Sequence, residues 1–453
     1  MNNIQILEQI KNYNYWHEDD SYAIQTEGKN RDLFDLLIRN YLNQDISISI
    51  SGLRRTGKTT ILYQLINYFL KKKVDSRKIL YFQFNNEFHD LESVLQLFFD
   101  FFSKQELQQD NFYIFLDELQ NVKSWQNVLK HYIDKNKKIK FIVTGSTSIY
   151  AQKNTESLAG RIIDFRLHPL SFNEFLKLGY DRRIEFDLRE FFLNDNSNEI
   201  KKLLDGLIYQ KINYKKYFQL YLRFGEYPGL LNALNNTSFA TTYLKKSILE
   251  KILEKDIKIF EIKKEKEIKD IFKVACANSA QTINYREVSR QTLISHYNIK
   301  EKFNILEKIY LVDVIKNYLN SIRSRVGSQD KVFCNSLNLL NSILNIDDPF
   351  NPAYAAFRGH IMETYVYNAV KHLGNVFYFL KNKKEVDLIL ETENKIIPIE
   401  VKSRNKLKKT DLNHLFFYMQ KNNLKIGYIA YGGDVLKMER EGMIVYAFPC
   451  WLL

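Results

Sequence analysis

Residues 46–62, ISISISGLRRTGKTTIL, restrict the possible fold more than any other part of the chain. An alternation of apolar and small residues leads into Gly52-x-x-x-x-Gly57-Lys58-Thr59, and an apolar helical pattern follows. Glycines in such a loop let backbone N–H groups face phosphates, and the next helix presents its positive end to them. We expect Lys58 to reach the β- and γ-phosphates and Thr59 to take one position around Mg²⁺. A glycine-rich turn with a chance lysine would not need the strand before the loop and the helix after it.

Strand-like apolar runs alternate with helical patterns through the first third of the chain. The runs are ISISIS, with residues 47–50 at its centre, KILYFQF (78–84), FYIFLDE (112–118), KFIVTGS (140–146) and RIIDFRL (161–167). Such runs are typical of strands buried on both faces, and the helices between them can connect parallel strands. The pattern predicts a parallel sheet with helical crossovers.

Two acidic residues end the third of these runs. Asp117 is expected to hold Mg²⁺ through water, and Glu118 to polarise the water that attacks the γ-phosphate. An acidic strand-to-loop turn is the alternative. Thr144 and Ser146 close the next strand, and one of them is expected to contact the γ-phosphate. The predicted ATP-binding residues are Gly52, Arg55, Thr56, Gly57, Lys58, Thr59, Thr60, Thr144 and Ser146.

The composition narrows the class of protein without identifying a partner. A chain of 453 residues is expected to form two to four domains. Its net charge of +13 fits either a polyanionic partner such as DNA or a lysine-rich solvated surface. The three cysteines suggest neither a disulfide framework nor a zinc site. We expect no signal peptide, and no apolar run of about 20 residues is present, so we expect a cytoplasmic protein without a transmembrane segment.

A winged-helix layout is predicted for residues 241–345. INYREVSRQT and SHYNIKEKFNILEKI form two short helices, and LVDVIKNYL and KVFCNSL form a hairpin around the tip NSIRSRVGSQD. Basic side chains on the second helix and at the tip would contact DNA phosphates and make binding salt-sensitive. A protein–protein adaptor with a solvated basic face is the alternative. The predicted DNA-binding residues are His296, Lys300, Lys302, Arg323 and Arg325.

Three carboxylates and a lysine near the end of the chain form a second candidate site. Glu400 and Lys402 stand two residues apart on a predicted strand and hence on one face. Asp387 lies on the preceding strand and Glu363 on the helix before it. Converging carboxylates can hold one or two divalent cations, Mg²⁺ or Mn²⁺, which would polarise a phosphodiester, with Lys402 orienting the attacking water. A coincidental set on a solvated hairpin is the alternative.

The sequence resembles two known families. GLRRTGKTT, FLDELQNVKSW, FIVTGSTS and LAGRIIDFRLHPLSFNEF look like consecutive blocks of a prokaryotic AAA+-type P-loop ATPase family, and GEYPGL and EKDI are similar to later blocks. The resemblance implies that Arg161 is an arginine finger, able to act on a neighbouring subunit of a homo-oligomer, or else part of a structural salt bridge. Glu363, Asp387, Glu400 and Lys402 resemble the PD-(D/E)XK nuclease motif, although Glu385-Val386 replaces its proline.

These observations predict a multidomain α/β protein with four regions. They are a P-loop parallel-sheet ATPase domain (1–175), a helical lid or linker (176–240), a winged-helix domain (241–345) and a restriction-endonuclease-like α/β domain (346–453). The expected function is a Mg²⁺-dependent ATPase that binds DNA and cuts it at the C-terminal site. The alternative is an ATP-gated regulatory switch whose nuclease fold is inactive. A metabolic kinase with the same loop is less compatible with the Asp117-Glu118 strand end.

Overall fold

The computed structural model describes residues 3–18, 24, 29–84, 90–103, 111–147, 158–194, 196–208, 214–260, 265–319, 324–325 and 327–453. The chain forms two compact units. The first comprises Met1–Pro169, Lys251–Lys263 and Lys308–Tyr310, and the second comprises Leu170–Glu250, Lys264–Glu307 and Leu311–Leu453. The four-domain division expected from the sequence stays a prediction.

The first unit is built on a five-stranded parallel sheet. Its strands are β1 (Ser47–Ser51), β2 (Ile79–Gln83), β3 (Phe112–Asp117), β4 (Ile139–Gly145) and β5 (Ile162–Arg166). Their order is β2-β3-β4-β1-β5, and every neighbouring pair is parallel. Its helices are α1 (Asn3–Tyr13), α2 (Asp32–Asn40), α3 (Lys58–Lys71), α4 (Leu91–Leu97) and α5 (Trp125–Lys135). The predicted parallel sheet with helical crossovers is confirmed.

Apolar side chains cover both faces of this sheet. On one face, Phe141 of β4 belongs to a cluster with Ile6 of α1 and Leu129 of α5. On the other face, Ile48 of β1 packs in a cluster with Leu65 of α3. Because the strands are parallel, the carboxyl ends of β1, β3 and β4 lie at one edge, where Ser51 is paired with Gly145. Polar residues that follow these strands therefore meet at that edge.

The second unit begins with helices and continues into a small antiparallel sheet. The helices are α6 (Phe172–Tyr180), α7 (Leu188–Leu193), α8 (Ser197–Ile208), α9 (Tyr214–Phe224), α10 (Thr237–Thr242) and α11 (Glu265–Ala277). Then follow β6 (Gln281–Ile283), α12 (Tyr285–Thr292), α13 (His296–Lys308), β7 (Val312–Lys316) and β8 (Asp330–Cys334). The three strands pair in the order β6-β8-β7. The two helices and the hairpin thus form where the sequence predicts them.

The remainder of the second unit contains a six-stranded mixed sheet. Its elements are α14 (Leu337–Leu344), α15 (Ala355–Val370), β9 (Asn375–Lys381), β10 (Lys384–Glu391), β11 (Ile396–Val401), α16 (Asn413–Lys421), β12 (Ile426–Tyr431), β13 (Leu436–Arg440) and β14 (Met443–Pro449). The strand order is β13-β14-β12-β11-β10-β9. The β9-β10-β11 meander is antiparallel, whereas β11, β12 and β14 run parallel. The last hairpin, β13-β14, is not among the strands predicted from sequence.

Two further expectations can be compared with the described residues. None of their helices has both the length and the apolar character that a membrane span requires. Cys276, Cys334 and Cys450 are buried thiols. Cys276 and Cys334 are distant in sequence, but their sulfur atoms lie 3.6 Å apart.

Candidate functional site

The loop between β1 and α3 has a backbone that requires glycine at two positions. Gly52 has a φ of +144°, and a Cβ there would lie 2.3 Å from the carbonyl oxygen of Leu167. Gly57 has a φ of +100° and immediately precedes the helix. Side chains rarely adopt such conformations, so both glycines serve the shape of the loop. Arg55 also has a positive φ, +65°, and its side chain is exposed.

Hydrogen bonds within the loop, and from Arg31 outside it, stabilise its shape. The buried Thr56 hydroxyl donates to the carbonyl oxygen of Leu53 at 2.9 Å. The Arg31 guanidinium donates to the carbonyl oxygen of Thr56 at 2.7 Å and to that of His168 at 3.0 Å. Thr56 thus contributes to the shape of the loop, while its side chain points into the loop rather than toward solvent.

Lys58 lies across the concave side of the loop. Its ammonium group donates to the carbonyl oxygens of Gly52 and Leu53, each at 2.9 Å, and the residue is buried. Burial lowers the pKa of Lys58, although nearby carboxylates, chiefly that of Glu118, act in the opposite direction. A buried ammonium surrounded by backbone dipoles at a helix N-terminus is placed to bind phosphate.

Asp117 is the centre of a hydrogen-bond network at the carboxyl end of β3. Its Oδ2 accepts from the Thr59 hydroxyl at 2.7 Å and from the Tyr81 hydroxyl at 3.1 Å, and its Oδ1 accepts from the Thr144 hydroxyl. Burial, with repulsion from Glu118, raises the pKa of Asp117, while these hydrogen bonds lower it. The Thr59 hydroxyl and the Asp117 carboxylate are the hard oxygen donors that Mg²⁺ prefers, so the residues present fit that ion.

Glu118 turns out of the strand in a left-handed backbone conformation, with a φ of +57°. Its backbone N–H donates to the Thr144 hydroxyl at 3.1 Å, so Thr144 connects the two acidic residues. The amide of Gln120 donates both to the Glu118 carboxylate and to the Ser146 hydroxyl. Sequence reasoning missed Gln120, whose position two residues after the acidic pair is its only sequence signal.

An ion pair from a remote part of the chain completes the site. Arg54 makes three hydrogen bonds to the Asp256 carboxylate, at 2.6 to 3.0 Å, across 202 positions of sequence. Asp256 is 1% exposed and also accepts from the Ser146 hydroxyl at 2.7 Å. Burial raises the pKa of Asp256, whereas Arg54 and Ser146 lower it. Neither Arg54 nor Asp256 was predicted as a site residue, although Asp256 lies in the EKDI block.

A second remote segment contacts the start of the loop. The Tyr310 hydroxyl donates to Ser51 Oγ at 2.7 Å, and Ser51 Oγ donates to Asp164 at 2.9 Å. The Arg166 guanidinium lies 4.5 Å above the Tyr310 ring. Both later segments of the first unit, Lys251–Lys263 and Lys308–Tyr310, therefore contact the P-loop or the residue before it.

Arg161 lies near the amino ends of the strands, opposite the end where the P-loop is. It directly precedes β5, and its carbonyl oxygen accepts from the backbone N–H of Ser47, where β1 begins. Its guanidinium pairs with Asp134 at 2.6 and 3.1 Å. A five-residue strand spans about 13 Å between its first and last Cα atoms. Arg161 is thus separated from the P-loop of its own chain by the length of β1.

The predicted DNA-binding residues have different surroundings. His296 and Lys300 are exposed on α13, whereas Lys302 is buried and pairs with Glu267 at 2.8 Å. Lys302 is therefore not an exposed cation on this helix, contrary to expectation, because it faces α11. The guanidinium of Arg325 lies 4.0 Å above the Tyr318 ring. Arg323 lies outside the described residues.

Glu363 and its surroundings differ from the sequence expectation. Its carboxylate on α15 forms an ion pair with Lys331 of β8, which is 1% exposed and also pairs with Glu385 at 3.0 Å. Burial raises the pKa of Glu363, although Lys331 opposes this effect. A lysine in the KVFCNSL strand was not predicted to take part. It neutralises the helix carboxylate that was expected to hold a cation.

Asp387, Glu400 and Lys402 do lie together on the antiparallel pair β10-β11. Leu388 is paired with Ile399, so Asp387 and Glu400 stand opposite each other one step further along. Asp387 accepts from the backbone N–H of Val401 at 2.7 Å, and Lys402 donates to Glu400 at 2.5 Å. Burial, with repulsion from Asp387, raises the pKa of Glu400 to about 8.

Lysines contact two of the carboxylates that were expected to hold a cation. Across the part of the chain that the structure describes, no three His, Cys, Asp or Glu side chains are grouped so that they could hold a metal ion. Glu363 and Glu400 are instead each neutralised by a lysine. Glu363 is thus paired with Lys331 and Glu400 with Lys402, and the metal site expected from the sequence stays a prediction.

Three family models match consecutive parts of the chain. A model described as an AAA domain matches residues 44–176. Models described as domains of unknown function, DUF8612 and DUF4143, match residues 215–349 and 358–453. The first match covers the P-loop, the Asp117-Glu118 strand end and Ser146. Together with the site geometry it supports a P-loop ATPase.

Three relatives that the chain matches have names that state no activity. Uncharacterized protein MJ1637 of Methanocaldococcus jannaschii is 28% identical over 301 residues, which cover 62% of this chain and 61% of the relative. MJ1544 of the same organism is 25% identical over 401 residues, covering 83% of this chain and 78% of the relative. An uncharacterized protein of Haemophilus influenzae is 24% identical over 306 residues, covering 62% of this chain and 66% of the relative. The chain thus spans less than two thirds of MJ1637.

Solved structures resemble the chain only weakly. The Orc1 protein of Aeropyrum pernix in complex with DNA superposes with a TM-score of 0.29 at 10% identity, covering 69% of this chain and 90% of that one. Cdc6p from Pyrobaculum aerophilum gives a TM-score of 0.25 at 14% identity, with the same coverage. TM-scores this low do not define a shared overall fold.

Proposed function

We propose that this protein is a magnesium-dependent ATPase whose nucleotide state regulates DNA binding. The observation that carries the ATPase part is the 2.7 Å hydrogen bond between Thr59 and Asp117, which joins the first helical turn after the P-loop to the acidic end of β3. Glu118 is the next residue in the chain. This combination places a phosphate-binding loop, oxygen donors for magnesium and a general base at one edge of the sheet.

Each side chain of the site has a separate proposed role in ATP hydrolysis. Lys58 binds the β- and γ-phosphates, Thr59 would hold Mg²⁺ directly, and Asp117 would hold it through water. When bound, magnesium would neutralise negative charge on the phosphate oxygens. Glu118 accepts a proton from the water that attacks the γ-phosphorus, the bond from that phosphorus to the ADP oxygen breaks, and ADP and inorganic phosphate are the products. Thr144 orients Glu118 through its backbone N–H.

DNA is the proposed partner because of exposed basic groups on two helices. His296 and Lys300 are exposed on α13, and Arg290 is exposed on α12. The order of helix, strand, two helices and hairpin in this region resembles that of a winged helix, a domain that commonly places its third helix on DNA. The net charge of +13 agrees with a polyanionic partner. Leu293 and Tyr297 are also exposed nearby and would suit a protein partner instead.

Duplex binding, measured by fluorescence anisotropy with ATP, ADP or no nucleotide, tests this proposal. We expect affinity to depend on the nucleotide and to fall steeply between about 50 and 200 mM salt. Lys300→Glu should weaken binding by about tenfold, whereas Lys201→Glu, which makes the same charge change at an exposed position on α8, should have little effect. Equal loss in both variants would reject α13 as the DNA contact. No binding to duplex or single strands would reject DNA as the partner and favour the adaptor alternative.

Phosphodiester cleavage in the C-terminal region is the second candidate function. The observation in its favour is that Asp387 and Glu400 face each other on β10 and β11 with Lys402 beside them. A cleavage assay on linear and circular DNA, with Mg²⁺ or Mn²⁺ and with or without ATP, tests it against Asp387→Ala and Lys58→Ala. Cleavage by the wild type that Asp387→Ala abolishes supports a nuclease. Absence of cleavage while ATP is hydrolysed favours a switch with an inactive nuclease fold.

A further inference from the structure

We propose that Arg54 distinguishes a nucleoside triphosphate from a diphosphate, and that Asp256 competes with the terminal phosphate for the Arg54 guanidinium. The inference rests on the proposed ATPase function and adds a specificity-determining pair to it. Arg54 is part of the P-loop, two residues after Gly52, but it is not among the residues that the loop motif uses.

The pairing geometry makes Asp256 a strong competitor. Arg54 Nε lies 3.0 Å from both oxygens of Asp256, and Arg54 Nη2 lies 2.6 Å from Oδ1. A guanidinium binds carboxylate and phosphate with the same planar set of donors, so the two anions compete for one group. Asp256 is almost completely buried, and its other described acceptor contact is with Ser146. A buried charge of this kind requires a partner, because an unpaired one is costly.

The position of the pair points to the terminal phosphate. Arg54 Nη2 lies 3.8 Å from the Glu118 carboxylate, which is proposed to polarise the water attacking the γ-phosphorus. Gln120 links Glu118 to Ser146, which in turn holds Asp256. ATP and ADP differ at the γ-phosphate alone. A cation beside Glu118 would therefore add attraction for ATP with little effect on ADP.

Competition for Arg54 would affect the segment of the chain that carries Asp256. Asp256 ends a π-helical turn, Ile252–Asp256, within the segment Lys251–Lys263. The residues before and after that segment belong to the second unit. If the terminal phosphate draws Arg54 away, Asp256 loses its main counter-charge and the segment loses an anchor on the P-loop. Hydrolysis restores the ion pair, so the anchoring of this segment would follow the nucleotide.

Equilibrium binding of Mg²⁺–ATPγS and Mg²⁺–ADP to the full chain tests the inference. Asp256→Asn keeps the shape of the side chain and removes the competing charge, so ATPγS should bind about fivefold more tightly while ADP changes less than about twofold. Arg54→Gln should weaken ATPγS by about tenfold and leave ADP nearly unchanged. In the Arg54→Gln background, Asp256→Asn should have no further effect on the ATPγS-to-ADP ratio. Asp134→Asn, which breaks the Arg161 pair at the other sheet edge, is the matched control and should leave both affinities unchanged.

The outcomes separate this inference from the function on which it rests. Parallel changes in ATPγS and ADP affinity, or independent effects of the two substitutions, would overturn it and leave Arg54–Asp256 as a structural pair. Thermal unfolding identifies a variant that has lost its fold, and Arg54→Lys then replaces Arg54→Gln, because lysine keeps the charge but not the planar donors. It should lose part of the preference for ATPγS. A wild type that binds neither nucleotide would instead reject the ATPase proposal itself.

Discussion

The hydroxyl of Thr59 donates a hydrogen bond of 2.7 Å to the carboxylate of Asp117, 58 residues later in the chain. This contact connects the phosphate-binding loop with the acidic strand end. If Thr59 holds magnesium, Thr59→Ser should keep ATP hydrolysis within about threefold of wild type, and Thr59→Ala should lower it by about tenfold or more. Titration of activity with Mg²⁺ should show that Thr59→Ala requires more metal. Equal activity of the two variants would exclude a magnesium-binding role for the hydroxyl.

The position of Arg161 at the opposite sheet edge leads to a prediction about assembly. Arg161→Ala should leave ATP affinity unchanged, because the side chain cannot reach the P-loop of its own chain. If Arg161 acts on a neighbouring subunit, the hydrolysis rate per wild-type chain should rise with protein concentration, and that of Arg161→Ala should stay low at every concentration. Asp134→Asn removes the partner of Arg161 but keeps the arginine and should retain the concentration dependence. A concentration-independent rate in the wild type would leave Arg161 with its salt bridge only.

Glu226 lies in the GEYPGL block, and its role is structural rather than catalytic. Its carboxylate is 3% exposed and accepts from Ser336 Oγ at 2.6 Å, from Leu337 N at 3.0 Å and from Asn338 N at 2.9 Å. It thereby caps the N-terminus of α14. Glu226→Ala should lower the free energy of unfolding by about 3 kcal/mol, because it leaves buried donors without an acceptor. Urea unfolding measures this loss, and exposed Glu250→Ala serves as control. Equal stability of the two variants would contradict the capping role.

Glu307 on α13 gives a prediction about pH. Burial raises its pKa from 4.5 to about 7, with repulsion from Asp313 adding to the effect. A carboxyl group with a raised folded-state pKa contributes stability that is complete below its unfolded pKa of 4.5 and is lost as pH rises through about 7. Glu307→Gln should therefore remove part of the fall in unfolding free energy between about pH 5 and 8, by at most about 3 kcal/mol. Its amide oxygen can still accept from Val314 N, as Glu307 does at 3.0 Å.

Denaturation of wild type, Glu307→Gln and exposed Glu301→Gln at both pH values gives the comparison. Glu301→Gln should follow the wild type. If Glu307→Gln shows the same pH dependence as the wild type, the titration of Glu307 does not contribute to stability.

The sequence was informative where local pattern determines structure. The five strands of the first sheet were predicted because each is a short apolar run, and parallel strands bring Asp117 and Lys58 to one edge regardless of loop length. The β9-β10-β11 meander and the placement of Asp387 opposite Glu400 follow from the same alternation. In these places, period and spacing contain the necessary information.

Contacts between distant residues were not predictable in this way. Arg54 and Asp256 are 202 positions apart, and no local pattern indicates that the segment carrying Asp256 returns to the P-loop. Lys331 was placed in a hairpin strand, but its burial against Glu363 depends on the packing of α15 on β8. Lys302 was expected to face solvent because the helical pattern alone does not show that α11 covers it.

Steady-state ATP hydrolysis with Mg²⁺, by wild type, Lys58→Ala and Glu118→Gln, tests the central claim most directly. Nucleotide affinity is measured in parallel. We predict that the wild type releases phosphate to water and that Lys58→Ala loses ATP binding. Glu118→Gln should keep ATP affinity within about threefold while its turnover falls by about 100-fold. Hydrolysis that is insensitive to both substitutions, or transfer of the γ-phosphate to an acceptor other than water, would contradict the account.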